Sequence, residues 1–223
     1  MLRIGSLIQK WNKRSRKQKL LTLANQVHKL CYAIHTKRRF DFDGYITKEN
    51  LSDDSTANSA TAYQGLSAFY FKVLLREALS AGRDFSQFID IGSGKGKLCL
   101  YAAKYHPFPK IIGIDFSRPL IEIANRNLSK THHKNIEFLC ANAADWRIPD
   151  GNSVVFLFNP FDGTVLKSFL NTNLDHFRRY DSVLVYTGAV HRAVVEESGF
   201  IKLIDSNVYD SYIFHFPHGS TLQ

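Results

Sequence analysis

FIDIGSGKGKLCLYAAKY, residues 88–105, decides the fold. An apolar run ends at Ile91, and Gly92, Gly94 and Gly96 then alternate with Ser93 and Lys95. A helical pattern starts at Lys97. Glycine lets a chain turn sharply and approach a neighbour without a Cβ in the way. The helix that follows offers unpaired N–H groups at its first turn. Working outward toward the C-terminus, strand patterns at 86–91, 110–115, 135–140, 153–158 and 182–187 alternate with helical ones at 97–105, 117–129, 164–178 and 189–198. Short apolar strands separated by helices predict a parallel sheet covered on both faces. The last two strands, 200–205 and 209–216, are separated only by Ser206–Val208. Strands joined that tightly must be antiparallel. The predicted class is α/β: a mostly parallel, seven-stranded, doubly wound sheet ending in an antiparallel hairpin. No internal repeat is present.

Toward the N-terminus the character changes. Residues 4–36 read as a helix, with Leu20, Leu23, Ala24, Val27, Leu30, Cys31 and Ile34 recurring at spacings of three and four. Asp41–Thr61 is polar and reads as a loop or linker, and 66–80 as a second amphipathic helix. Residues 1–39 carry 11 Lys and Arg and no acid, which leaves 18 of the 29 basic residues against all 20 acidic ones. The excess charge of +9 therefore belongs to the arm. The division expected is a basic helical arm and linker over 1–60 and a globular domain over 61–223. Three readings of the arm stay open: contact with nucleic-acid phosphates, contact with an anionic membrane surface, or a solvated helix packed on its own domain.

Hydrophobic residues at 44% and charged residues at 22% describe a globular chain. Cys31, Cys99 and Cys140 show no metal-site spacing, and the latter two sit in apolar runs as expected buried thiols. No run of about 18 apolar residues suggests a membrane span, and no signal-peptide pattern is seen. A reducing, cytoplasmic setting is the expectation.

The spacing of the glycines bears on the ligand. A dinucleotide fingerprint runs G-x-G-x-x-G, whereas here the run is G-x-G-x-G with Lys97 in the sixth place. Asp90 precedes the first glycine by two residues. A pyrophosphate gains nothing from that carboxylate, but a ligand with an ammonium group, such as the methionine part of S-adenosylmethionine, pairs with it directly or through water. Asp115 ends the next strand, 19 residues after Gly96. A carboxylate there accepts ribose hydroxyls and repels a 2′-phosphate. The competing readings are a packing turn with a helix-capping Asp, and a nicotinamide enzyme.

On these residues the chain resembles the class I S-adenosylmethionine-dependent methyltransferases over about 60–216. DIGSGKG (90–96) resembles their first motif and GIDFS (113–117) their acidic second motif. LCANAADW (139–146) resembles the third, with Asn142 where an adenine-contacting Asp is usual and Asp145 three residues on. The resemblance implies S-adenosylmethionine as cofactor, held by Asp90, Gly92, Ser93, Gly94, Gly96, Asp115, Phe116, Asn142 and Ala143. It also implies a cover from Tyr63, for which plain packing is the alternative. FLFNPFDG (156–163) places Asn159, Pro160 and Phe161 where the family has its catalytic element. It resembles the Asn/Asp-Pro-Pro-Tyr/Phe form that acts on planar or amide-like nitrogens, shorter by one Pro. In that reading the Asn159 oxygen orients an NH₂ group and Phe161 stacks on a flat substrate. Asn-Pro and Asp-Gly are also common turn dipeptides. No metal is called for. His191, His215 and His218 are further acid–base candidates that the sequence does not place in a site. The methyl acceptor stays open between small molecule, protein and RNA. The rival reading is a nucleic-acid- or membrane-associated binding module that keeps the fold without turnover.

Overall fold

In a computed structural model of the chain, residues 16–35, 39–42, 65–80 and 82–217 are described. Seven strands form one sheet: β1 (Gln87–Ile91), β2 (Lys110–Asp115), β3 (Ile136–Cys140), β4 (Ser153–Phe158), β5 (Val183–Thr187), β6 (Ile201–Ser206) and β7 (Ser211–His215). Their order is β3-β2-β1-β4-β5-β7-β6. The first five strands pair in parallel, and β7 runs antiparallel to both β5 and β6. The expected sheet is present, hairpin included.

The strands read as continuous apolar runs because both faces are covered. Phe88, Val154, Phe156, Val183 and Val185 face one apolar cluster. Ile89, Ile91, Val155, Leu157, Leu184 and Tyr186 face the other. The period of two in the strand pleat sorts neighbours to opposite sides. The first cluster is closed by α2 (Ala68–Leu79), α3 (Lys97–Tyr105) and α4 (Arg118–Leu128). The second is closed by α5 (Gly163–Thr172), α6 (Leu174–Arg179) and α7 (Arg192–Glu197). Before them stands α1 (Arg16–His35), tied to the start of α2 by a hydrogen bond from Ser67 Oγ to Asn25 Oδ1. The start expected for this helix, residues 4–15, lies outside the described residues, as does Tyr63.

Three local expectations are corrected. The single helix expected over 164–178 breaks at Asn173. Its side chain accepts from Ile148 N at 2.8 Å and donates to Trp146 O at 3.0 Å. Stapling that loop takes the backbone out of helical geometry, the usual outcome when an Asn side chain competes for main-chain partners. The last helix is short, starting at Arg192 rather than 189. Cys99 is buried, but Cys140 is exposed, because the end of the outer strand β3 has one face open.

β6 is the other edge of the sheet, and Ile201 and Leu203 are exposed on it. The register slips between Lys202 and Ile204. A bulge and a lysine are two of the devices that keep an edge from pairing with another chain. Among the described residues no helix is long and apolar enough to cross a membrane.

Candidate active site

The sheet order reverses between β1 and β4. The chain runs outward from β1 to β2 and β3, then returns to lay β4 on the other side of β1. At such a reversal the carboxyl ends of the two strands frame a crevice, where open α/β sheets bind ligands. β1 delivers the glycine turn to it, and β4 delivers Asn159, Pro160 and Phe161.

The two segments touch. Gly92 has φ 78, and a Cβ on it would lie 2.5 Å from Pro160 Cβ. Any side chain here collides with the loop after β4. Gly96, also at φ 78, starts α3. A Cβ on it would lie 2.4 Å from Phe138 Cζ of β3. Both glycines are thus demanded by protein neighbours, and their packing seats the turn against β3 and β4. The same Phe138 forbids a side chain at Gly113 of β2, a position with no signal of its own in the sequence.

Gly94 N donates to Asp115 Oδ2 and Ser117 N to Asp115 Oδ1, both at 2.9 Å. The carboxylate expected to face a ribose therefore also pins the glycine turn to the end of β2. Each oxygen keeps a further lone pair. Burial pushes the Asp115 carboxyl up to about 6, and the two N–H bonds hold it below what burial alone would give. Asp90 is 2% exposed. Burial first, and the charge of Asp115 second, push it up to about 8. The buried Cys99 thiol lies 3.9 Å from Asp90 Oδ2 and is itself raised well above its ordinary value, mostly by burial. A second sign of an unfilled requirement is Ser93, whose buried Oγ has no hydrogen-bond partner among the described residues. Native structures leave few buried hydroxyls unsatisfied.

Asn142 is exposed just after β3. Its Oδ1 accepts from Ala144 N at 3.1 Å, and its Nδ2 donates to Asp145 at 2.9 Å. This is an Asx turn, and it joins the two candidates for an adenine contact into one unit. Phe116, just after β2, and Ala143, within the turn, are half-buried.

Asn159 has φ 39, left-handed backbone that few residues other than glycine tolerate. Its Oδ1 accepts from the Tyr186 hydroxyl at 3.1 Å, and that hydroxyl accepts from His191 N at 3.3 Å. The relay fixes the amide at the carboxyl edge of β4 and β5. Tyr186 carries no site signal in the sequence, because its position in an apolar strand reads as core. Phe161 is 9% exposed, with its ring in the second apolar cluster. The other histidines are dispersed. The His191 ring lies beside Gly163, His215 is half-buried on β7, and His218 falls outside the described residues. Among the described residues no group of three His, Cys, Asp or Glu could hold a metal.

A contact from the N-terminal segment reaches the glycine turn. Lys95 is buried, and its Nζ lies 2.7 Å from Asp41 Oδ1. Asn127 of α4, fully buried, joins the two: Nδ2 donates to Asp41 O at 2.9 Å and Lys95 O at 3.0 Å, and Oδ1 accepts from Asp41 N at 3.0 Å. Phe42 then enters the first apolar cluster. Replacing Asn127 with Leu is expected to lower stability by about 1–3 kcal/mol for each backbone group left without its partner. A thermal melt checks this, and an unchanged midpoint would show the segment to be loosely held.

The comparisons with known proteins agree with this geometry. Residues 88–179 match the family described as Methyltransferase domain. A tRNA (guanine-N(7)-)-methyltransferase of Geobacillus thermodenitrificans is 31% identical over 124 residues, covering 53% of this chain and 57% of that protein. One of Pediococcus pentosaceus is 36% identical over 84 residues, covering 38% and 35%. The chain thus spans between about a third and just over half of the length of these relatives. Among solved structures, a protein of Methanococcus maripaludis assigned as an S-adenosyl-L-methionine-dependent methyltransferase superposes with a TM-score of 0.54 at 15% identity, over 69% of this chain and 87% of that one. TrmN of Thermus thermophilus gives 0.52 at 17% identity, over 68% and 49%. These two likenesses show the shared fold. With the glycine turn and the sheet order, the match over residues 88–179 identifies in this chain a methyltransferase domain with the class I S-adenosylmethionine-dependent fold.

Proposed function

We propose that this protein transfers a methyl group from S-adenosylmethionine to a nitrogen of a planar base in RNA. The observation that carries the reading is the Asn159 amide. Asn159 sits in left-handed backbone with its side-chain oxygen bonded by the Tyr186 hydroxyl, one residue before the Pro160 that packs on the glycine turn. Bound at that turn, S-adenosylmethionine supplies an electrophilic methyl on a positively charged sulfur. Asp90 supplies a buried counter-charge for the ammonium group, Asp115 accepts from the ribose hydroxyls, and the orphaned Ser93 hydroxyl finds a partner. Asn142 with Asp145 stands at the adenine end. The Asn159 oxygen uses one lone pair for Tyr186 and keeps the other for an N–H of the acceptor. Holding the acceptor at that angle aims its nitrogen along the line of displacement. Alignment of this kind is worth roughly 7–11 kcal/mol in well-oriented systems.

RNA is favoured over other acceptors by two features. The relatives in Geobacillus and Pediococcus are named for methylation of tRNA guanine. The segment 1–39 carries 11 Lys and Arg and no acid, and a basic segment of this density binds phosphates with strong salt dependence.

The test uses the full chain. Calorimetry should detect S-adenosylhomocysteine and no NAD. Labelled methyl from S-adenosylmethionine should then enter total RNA from a strain lacking the gene, and digestion to nucleosides should place it on a base nitrogen. Label entering protein and not RNA would overturn the acceptor class. Absence of S-adenosylhomocysteine binding would overturn the cofactor assignment.

A further inference from the structure

We propose that Tyr209, in the turn between β6 and β7, supplies the aromatic face against which the planar acceptor lies. This rests on the reading of Asn159 given above. Phe161, the aromatic next to the catalytic element, has its ring committed to the second apolar cluster. Tyr209 is 57% exposed. Gly188, the residue after β5, borders both this ring and Asn159: a Cβ added there would lie 3.5 Å from Phe158 Cε2 and 3.6 Å from both Asn159 Cβ and Tyr209 Cε1. The Asn159 side chain and the exposed ring therefore lie on either side of the same glycine.

The backbone around this glycine is strained and tied. Asn159, Tyr209 and Asp210 have φ 39, 41 and 46, and they are the only non-glycine residues with positive φ among the described residues. All three lie at this spot. An aromatic residue in left-handed backbone is an outlier that persists only where its surroundings enforce it, and such outliers cluster at functional sites. Here the enforcement is visible. Ala189 N donates to Asp210 O at 3.2 Å and Gly188 N to Tyr209 O at 3.4 Å. The Asp210 carboxylate accepts from the Tyr212 hydroxyl at 2.9 Å. Phe158 meets the Tyr209 ring edge-on, with centroids 6.0 Å apart, and props one side of the ring. An asparagine or glycine would hold the turn with less strain. The tyrosine carries a cost at this turn that either of those residues would avoid, and its ring is left exposed on the side of Asn159. A base lying on that ring presents its edge to the amide, and stacking of this kind tolerates any base, leaving the choice of atom to Asn159.

Two measurements on the full chain decide the matter. The first uses protein labelled with 3-fluorotyrosine and saturated with S-adenosylhomocysteine. The Tyr209 resonance is identified by its loss in Tyr209→Phe. Adding guanosine or adenosine 5′-monophosphate should move that resonance upfield and leave the tyrosines of α3 in place. A Tyr209 resonance that stays still up to the solubility limit of both nucleotides would overturn the proposal. The second compares variants on RNA. Tyr209→Asn, which suits the left-handed turn, should keep or raise the melting temperature and keep S-adenosylhomocysteine affinity, while raising KM for RNA roughly tenfold to a hundredfold. Tyr209→Trp should restore most of the loss. A fall in melting temperature and cofactor affinity without a change in KM would make Tyr209 a packing residue. If the unaltered chain methylates no RNA, the acceptor class falls, and the nucleotide-induced movement of the resonance still decides Tyr209.

Discussion

Asn159→Gly is expected to lower the methyl-transfer rate by about 10²–10³, or ~2.7–4 kcal/mol, and to leave S-adenosylhomocysteine affinity almost unchanged. That is the range found when one hydrogen-bond partner that matters mainly in the transition state is removed. Glycine is a cleaner replacement than alanine. At φ 39 a Cβ is strained, so alanine would mix a folding penalty with the chemical one, and glycine accepts that backbone freely. The Tyr186 hydroxyl would lose its acceptor at 3.1 Å and keep the bond it accepts from His191 N. Tyr186→Phe leaves the amide in place but unlocks it. Its rate should fall less, in line with about 0.5–1.5 kcal/mol for a single neutral hydrogen bond. The paired readout is turnover on RNA and melting temperature with cofactor product bound. A well-folded Asn159→Gly protein with full turnover would remove Asn159 from the catalytic element.

Asp90→Asn should raise stability at neutral and alkaline pH and weaken cofactor binding at the same time. The folded protein holds this carboxyl at about 8 against an ordinary 3.8, so it binds the proton more tightly than the unfolded chain does. The stability this confers is present in full below the ordinary value and is lost progressively as pH rises from there to about 8. A tenfold difference in proton affinity between the folded and unfolded chain corresponds to about 1.4 kcal/mol. The midpoint of the variant should therefore pull progressively ahead of the unaltered chain between pH 3.8 and about 8 and keep a constant lead above that. Binding moves the other way. An ammonium beside Asp90 favours its ionised form, so affinity for S-adenosylhomocysteine should climb toward pH 8 in the unaltered chain. The variant should be weaker and nearly flat over the same range. Matching profiles in the two proteins would detach Asp90 from the ligand.

The fold was legible because it rests on local, repeated signals. β2 and β4 fall on the expected residues, 110–115 and 153–158, since both are apolar runs bounded by turn residues. The break at Asn173 was hidden because it depends on a loop 25 residues away that only the folded chain brings near. The glycine turn and Asn159 were found by motif, and the structure adds what their neighbours do. Gly92 is read in the sequence as room for a ligand, and it is also room for Pro160. Tyr186 and Asn127 left no trace in the sequence. One looks like any strand residue and the other like any polar residue on a helix. Their importance comes from partners 27 and 86 residues distant.

The clasp of Asp41, Asn127 and Lys95 bears on how this chain can be cut and joined. A fragment begun at residue 61, where composition changes, would drop Phe42 from the apolar cluster and the Asp41 carboxylate from its place 2.7 Å from Lys95. The turn that defines the cofactor site would keep its sequence and lose its brace. A graft of this domain onto a different N-terminal segment would therefore need to carry the Arg39–Phe42 piece with it. The Arg39–Phe42 peptide, though it precedes the change in composition, packs as part of the folded domain.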